Sequence, residues 1–544
     1  MNLRQEIFRI ARYARLLGRQ IRKRELKLSV LRIRGAEIVS GRLVLRGVAL
    51  TNFRPGPGIV TLRKFRQEER AWDFPVTYHD RIGRGGIGRL AALAGIRWTA
   101  FSVTLDCPWD GLPASIYGLG HRAGPGIRSA IRIAPGYAAL LSDDDAGRSY
   151  CVFREPSVHV PRIEMYRFGS RTLEELRARA ALPRSDGPAC VIGEYTNTAR
   201  DNGLALFEGL VAAHPDIRAC YVIEKDNADD FGTDRPDVAL FGSEEHLSRC
   251  LAADSCAFTH HRSYVYPYIL KMIAPDRYDG VRTIFLQHGI IALKKDIVAH
   301  YRADRLKYDA FCVSSGNEKR IIADHFGYPA ADIHVTGLAR HDALLRMAAR
   351  ADADPRRVLV FPTWRQGLDK KTSAEIAGDP FVLMWQEALR ALRAEGLETC
   401  LILHPILNRH AALFAEAAGR VARARDFQEE LVGASALVTD YSSVCFDALM
   451  LRKPVFFFQF DRRMTGFAKE TFIDPSRDLP GPAIEAPEEL AAAVAASRRS
   501  GWRFTHERAR DLYFAHDDGA NTDRIADLIR KAAEPDRSGP VHAT

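Results

Sequence analysis

Five apolar runs in the second half of this chain end on residues able to handle a proton or a phosphate. Residues 283–286 lead into Gln287-His288-Gly289, 333–336 into Gly337-Leu338-Ala339-Arg340-His341-Asp342, and 358–361 into Pro362-Thr363-Trp364-Arg365. Residues 400–403 end at His404-Pro405, and 436–439 end at Asp440-Tyr441-Ser442-Ser443. An imidazole titrates near neutral pH and can accept a hydroxyl proton, and the glycine after His288 lets a ligand come close to the backbone. His404, held by Pro405, suits donation to a phosphate oxygen or a departing one. Arg340 and Arg365 can each pair bidentately with phosphate. Ser442 or Ser443 can cap a helix whose apolar positions are Val444, Ala448 and Leu451; free N–H groups, the helix dipole and two hydroxyls would then suit a phosphate, with a plain serine cap as the bland alternative. Asp447 falls in that first turn, where a carboxylate suits the dipole whether or not it meets a ligand. His260-His261 has neither strand-end context nor metal partners and reads as structural. No D-x-D or carboxylate pair is placed for Mg²⁺, so phosphate charge would have to be neutralised by protein donors.

Such endings need a frame, and the same half of the chain supplies one. Short continuous apolar runs at 189–192, 219–223, 283–286, 310–313, 333–336, 358–361, 400–403, 436–439 and 455–460 alternate with helix-like stretches. That pattern means parallel sheets covered on both faces. Ligands of open α/β sheets bind beyond the carboxyl ends of the strands, so the five endings predict one cleft. Nine strands suit two doubly wound domains, with the break near 346–356, where Asp352 and Asp354 read as linker.

The first half differs. Leu43, Leu45, Ile96, Trp98, Val103 and Leu105 alternate with polar neighbours, which predicts a small β-rich domain. Gly83, Gly85 and Gly88 match G-x-G-x-x-G without a preceding strand, and Asp143-Asp144-Asp145 reads as a polar turn before Gly147. Ahead of this domain, Leu3, Ile7, Ile10, Ala14, Leu17 and Ile21 line one helical face among arginines. Nine basic and two acidic residues in the first 27 account for +7 of the chain's formal +10. A basic amphipathic helix of this kind can lie on an anionic membrane, or pack on its own domain or a partner.

At 544 residues the chain suits about three domains. No apolar run approaches the ~18–20 residues of a membrane span, and no apolar core of a secretory signal follows the basic N-terminus. The nine cysteines show no metal spacing and read as reduced thiols of a cytoplasmic protein. No basic stripe with interleaved aromatics marks the cleft half, which argues against nucleic acid.

From about 190 to 530 the residues resemble the CDP-glycerol glycerophosphotransferase family of teichoic acid polymerases and primases. The strongest element is Leu437-Val-Thr-Asp-Tyr-Ser-Ser-Val-Cys-Phe-Asp-Ala-Leu-Met-Leu-Arg-Lys-Pro454, followed by Phe458 and Asp461. Val360-Phe-Pro-Thr-Trp-Arg365, Leu403-His-Pro405, Pro480-Gly-Pro482 and Asp201-Asn202 ahead of Leu206-Phe207 fit in the right order. Gln287 stands where many members have tryptophan, Ile290-Ile291 replaces Thr-Pro, Ala339 replaces proline and His341 replaces asparagine.

The resemblance implies an α/β fold, a GT-B-type pair of Rossmann-like domains preceded by a basic amphipathic helix (1–27) and a β-rich accessory domain (28–170). The acceptor domain would span 188–348 and the CDP-donor domain 355–535. It implies transfer of a polyol phosphate, glycerol phosphate first, from a CDP-activated donor to a lipid-linked acceptor, with CMP released and no cofactor or metal. His288 and His404 would be catalytic. Arg340, Thr363, Trp364, Arg365, Thr439, Asp440, Ser442, Ser443 and Asp447 would hold the donor and its phosphates, and Asn202, Gly289 and Lys294 would lie in the acceptor region. Residues 3–27 would hold the protein, peripherally, to the cytoplasmic face of the cell membrane. The rival readings are a GT-B glycosyltransferase using a CMP-sugar for capsule synthesis and a non-catalytic membrane adaptor.

Overall fold

A computed structural model describes residues 27–534 apart from 41, 52–57, 65–70, 83–98, 107–114, 123–126, 134–136, 155–160, 185–186, 225–234, 366, 369–370 and 463–470. The amphipathic helix expected at 3–21, the G-x-G-x-x-G run at 83–88, Ile96, Trp98 and Cys107 lie outside the described residues. The chain divides into two compact units, one of residues 1–184, 222–252 and 266–280, the other of 185–221, 253–265 and 281–544.

In the first unit, ten strands between Lys27 and Tyr166 form one sheet, antiparallel except where Lys27–Val39 runs parallel to Ile127–Ile133. Its buried face repeats every second residue, as in Leu31 and Ile33 or Leu43 and Leu45, the period of a pleated strand. The Asp144 turn closes the hairpin between Ala138–Asp143 and Arg148–Arg154, and its carboxylate accepts the Ser170 N–H at 2.7 Å. Glu164, fully buried, accepts from the N–H groups of Tyr268 and Ile269, both at 3.0 Å, and from the Tyr166 hydroxyl at 2.6 Å. A buried carboxylate with three donors is satisfied in place and needs no counter-ion to be stable there.

The second unit holds two parallel sheets. One runs, among the strands of this unit, Arg218–Ile223, Ala189–Gly193, Ser255–Phe258, Arg282–Phe285, Ala310–Val313, Ile333–Val335. The other runs Arg420–Ala422, Glu398–Ile402, Asp354–Phe361, Ala434–Thr439, Val455–Phe458, Ala483–Ile484. Central strands such as Ala434–Thr439 are buried along their whole length, which explains their unbroken apolar sequence. Asp354 begins a strand, so the Asp352/Asp354 pair lies at the edge of an element.

In each sheet the chain builds outward on one side and then crosses to the other. The reversal lies between Ala189–Gly193 and Ser255–Phe258 in the first sheet and between Asp354–Phe361 and Ala434–Thr439 in the second. These are the topological switch points at which such sheets bind ligands. The final helix, Asn521–Ala533, returns to the first sheet's helices: His214 Nε2 lies 2.8 Å from Asp523, and Arg530 pairs with Asp216 at 2.8 Å. Asp342 accepts the N–H groups of Asn521 and Thr522 at 3.2 and 2.7 Å and so caps that helix from a distant part of the chain.

Candidate active site

Arg340 lies at the start of helix Ala339–Ala348, is 6% exposed, and is the hub of the site. Its Nε and Nη2 donate to Asp447 at 3.2 and 3.0 Å; its Nη1 donates to Asp201 at 2.8 Å and to the His288 carbonyl at 2.7 Å. Burial alone would lower its pKa, but the Asp447 and Asp201 carboxylates more than offset this and hold it above its ordinary value. Burial pushes Asp447 upward in turn, and Arg340 with His341 overcomes it, leaving the carboxyl below its ordinary range. His341, 0% exposed, points Nε2 at the same Asp447 oxygen at 3.0 Å. Its pKa is lowered by burial, with the Asp447 bond opposing, and its buried Nδ1 has no partner among the described residues. A neutral ring donating from Nε2 fits this geometry, because a second N–H would be stranded.

Four of the five N–H groups of Arg340 serve protein acceptors, so its guanidinium builds the site by holding Asp447, Asp201 and the His288 carbonyl. Asn202 has a similar duty. It is fully buried, donates from Nδ2 to the Gln287 carbonyl at 2.9 Å and accepts the Arg340 N–H at 3.1 Å. The His288 turn is thus fixed at both neighbouring carbonyls.

Gln287, on the near side of His288, takes φ +49°, a left-handed backbone rare outside glycine, and its amide donates to the Cys312 carbonyl at 3.1 Å. Glu318, 1% exposed, holds the far side by accepting the Ile291 N–H at 2.6 Å, and burial raises its pKa. The result is an exposed His288 side chain on an immobilised backbone. At Gly289 an added Cβ would lie 2.9 Å from the Ser443 hydroxyl and 3.5 Å from its Cβ, so the absent side chain leaves room for the two segments to lie close together. Sequence reasoning missed Gln287 and Glu318 as supports; neither carries a motif.

The second sheet supplies the other wall. Asp440, fully buried, accepts the N–H groups of Thr363 and Tyr441 at 2.9 and 2.6 Å and pairs with Arg365 at 2.9 Å. Arg365 also meets Asp461 at 2.7 Å and the Thr363 carbonyl at 2.7 Å, and its guanidinium lies 5.1 Å from the Tyr441 ring centre. Like Arg340, Arg365 is engaged by carboxylates. Burial would lower its pKa, and Asp440 and Asp461 raise it instead. The Thr439 hydroxyl donates to the Phe361 carbonyl at 2.6 Å and is buried, so it joins strands rather than facing a ligand.

Trp364 and His404 stand together, rings 6.1 Å apart. Helix Val444–Met450 has only seven residues; Ser443 already has helical backbone and makes no side-chain cap, while the Ser442 hydroxyl accepts the Val444 N–H at 3.4 Å. Lys294 is exposed, and desolvation at its amine lowers its pKa, with Asp440 opposing. Among the described residues, no group of three His, Cys, Asp or Glu side chains is gathered as metal ligands.

His260 was read as structural from sequence, yet it lies at the carboxyl end of Ser255–Phe258 with its ring stacked on His288, centroids 4.7 Å apart and planes 13° apart. The sequence signal was weak because Ser-Cys-Ala-Phe does not announce a strand.

Two curated relatives match part of the chain. The teichoic acid poly(ribitol-phosphate) polymerase of Bacillus spizizenii is 26% identical over 237 residues, 41% of this chain and 37% of the relative. The teichoic acid poly(glycerol phosphate) polymerase of Staphylococcus epidermidis is 25% identical over 239 residues, 40% of this chain and 30% of the relative. This chain therefore spans about a third of the length of those relatives. Among solved structures, a histidine variant of the wall teichoic acid polymerase TagF aligns with TM-score 0.50 and 18% identity, over 66% of this chain and 94% of that one, a likeness of fold. The family model of CDP-Glycerol:Poly(glycerophosphate) glycerophosphotransferases matches residues 180–531, well over half the chain, and the chain belongs to that family.

Proposed function

We propose that this chain transfers a polyol phosphate, glycerol phosphate first among candidates, from a CDP-activated donor to a hydroxyl of a membrane-linked acceptor, releasing CMP. The observation that carries this reading is the Arg340 hub. It joins Asp201 beside the first sheet, Asp447 beside the second and the His288 backbone, and so fixes the turn that carries the exposed imidazole, with Gly289 next to it close to Ser443. Family membership supplies the donor class, and the two parallel sheets suit a GT-B-type pair of domains.

In this scheme the neutral His288 imidazole takes the proton of the acceptor hydroxyl as its oxygen attacks the β-phosphorus. The bond from that phosphorus to the bridging oxygen breaks, and CMP departs with the oxygen. Ser442, Ser443, Trp364 and His404 are the donor-side groups with exposed or half-buried side chains, and they would meet the diphosphate as charge moves onto its oxygens. Arg340, Arg365, Asp440 and Asp447 hold that wall in place. Lys294, whose amine feels the Asp440 carboxylate, would serve the acceptor region from beside that wall. No described helix is long and apolar enough to cross a membrane, and the basic residues of 3–27 would bind the anionic surface where a lipid-linked acceptor resides.

Incubating the purified protein with CDP-glycerol, CDP-ribitol and bacterial membranes tests this reading. CMP release accompanied by phosphorus in the new linkage is the expected result. CMP released from a CMP-sugar, with no phosphorus in the linkage, would assign the chain to the glycosyltransferases.

A further inference from the structure

A general base works only within hydrogen-bond reach of one proton, so the orientation of the His288 ring matters to the proposed transfer. The rings packed around it bear on that orientation. His260 supplies a flat surface parallel to it, with centroids 4.7 Å apart and planes at 13°. Tyr195 packs against His260 in turn, ring centroids 3.6 Å apart and planes tilted by 33°. A hydrogen bond of 2.7 Å between the Thr259 hydroxyl and His260 Nδ1 fixes the rotation of the middle ring.

Topology accounts for the row. Tyr195 follows the end of Ala189–Gly193, His260 the end of Ser255–Phe258 and His288 the end of Arg282–Phe285, three strands adjacent in the sheet. The first two flank the switch point. Neighbouring strands lie ~4.8 Å apart, close to a stacking distance, so side chains leaving successive strand ends can stack ring on ring. Tyr301, at the end of Val298–Tyr301, flanks His288 with its ring 6.4 Å away.

We propose that His260 is a positioning residue for the transfer reaction, stacking on the His288 imidazole to hold it in its working orientation, with Tyr195 packed against His260 in turn. This rests on the reading of His288 as the base. The two imidazoles meet face to face, and His260 acts by packing rather than by passing the proton. Its effect belongs to the chemical step, and donor affinity should hardly feel it.

The test is steady-state CMP release from CDP-glycerol with membranes as acceptor, alongside calorimetric binding of CDP-glycerol, for four variants. His260→Ala should lower kcat by about 10–100-fold, the scale of a misplaced catalytic group, with KM and Kd for the donor within about twofold. His260→Phe keeps a flat ring and should stay within about fivefold of the native kcat. His260→Leu, similar in bulk but not flat, should fall with alanine and covers the case in which alanine prevents folding. Native kcat in His260→Ala, or equal damage from phenylalanine and leucine, overturns the proposal. His288→Ala run in parallel separates the two claims: if it keeps turnover, the base assignment itself fails and the role of His260 falls with it.

Discussion

His288 depends on groups that need never touch a substrate. Arg340 and Asn202 hold the turn through carbonyls, Glu318 holds the next segment, and Gln287 absorbs a left-handed backbone. The chemistry-bearing residue types were legible because each followed an apolar run. Their division of labour was not, because an arginine that binds phosphate and one that binds two carboxylates look alike in sequence. Arg340 and Arg365 each hold two carboxylates. A further buried acid marks the rim of this network. Burial, the charge of Asp201 second, pushes Glu194 up to about 7, against four donors that favour its ionised form. The folded protein therefore keeps a proton that the unfolded chain loses in the ordinary carboxylate range. Stability contributed by this group is fully present at low pH and declines as pH rises towards about 7. Urea unfolding of Glu194→Gln across that window should show a flatter pH dependence than the native chain; an unchanged slope would mean that other groups set it.

At the scale of elements, strands were read best. Every run proposed between 189 and 460 overlaps a strand, since buried parallel strands carry continuous apolar sequence. Val238–Leu240, Arg420–Ala422, Ala483–Ile484 and Ser255–Phe258 were missed: the first three are short edge strands, and Ser255–Phe258 is small and partly polar. That one omission also concealed His260, whose position becomes informative only once a strand ends before it. Nothing local predicted that helix Asn521–Ala533 would return to the first sheet, because its anchors, Asp342 and the Leu338 carbonyl, lie some 180 residues away. Gly337 is the point where this junction is tightest. Its φ is +76°, and an added Cβ would lie 2.0 Å from Asn521 Oδ1. Gly337→Ala should cost at least about 1–3 kcal/mol from the backbone alone, visible as a lower urea midpoint. A change within about 0.5 kcal/mol, the range of an ordinary surface substitution, would show that the helix is not held this way.

For the whole molecule, charge and chemistry are separated along the chain. The candidate site residues lie between Tyr195 and Asp461, while most of the net charge belongs to the first 27 residues. A membrane-held transferase would be organised this way, with attachment and reaction on different segments. Removing residues 1–27 should release the protein from vesicles containing anionic lipid; sedimentation of the truncated chain at the native level would assign the attachment elsewhere. The central claim, that His288 abstracts the acceptor proton in a CDP-dependent transfer, is tested most directly by one paired measurement: CMP release and CDP-glycerol binding by His288→Ala. Losing a general base costs about 10²–10⁴-fold, so the account predicts turnover reduced by at least the lower figure with donor affinity retained. Near-native CMP release from that variant would contradict it.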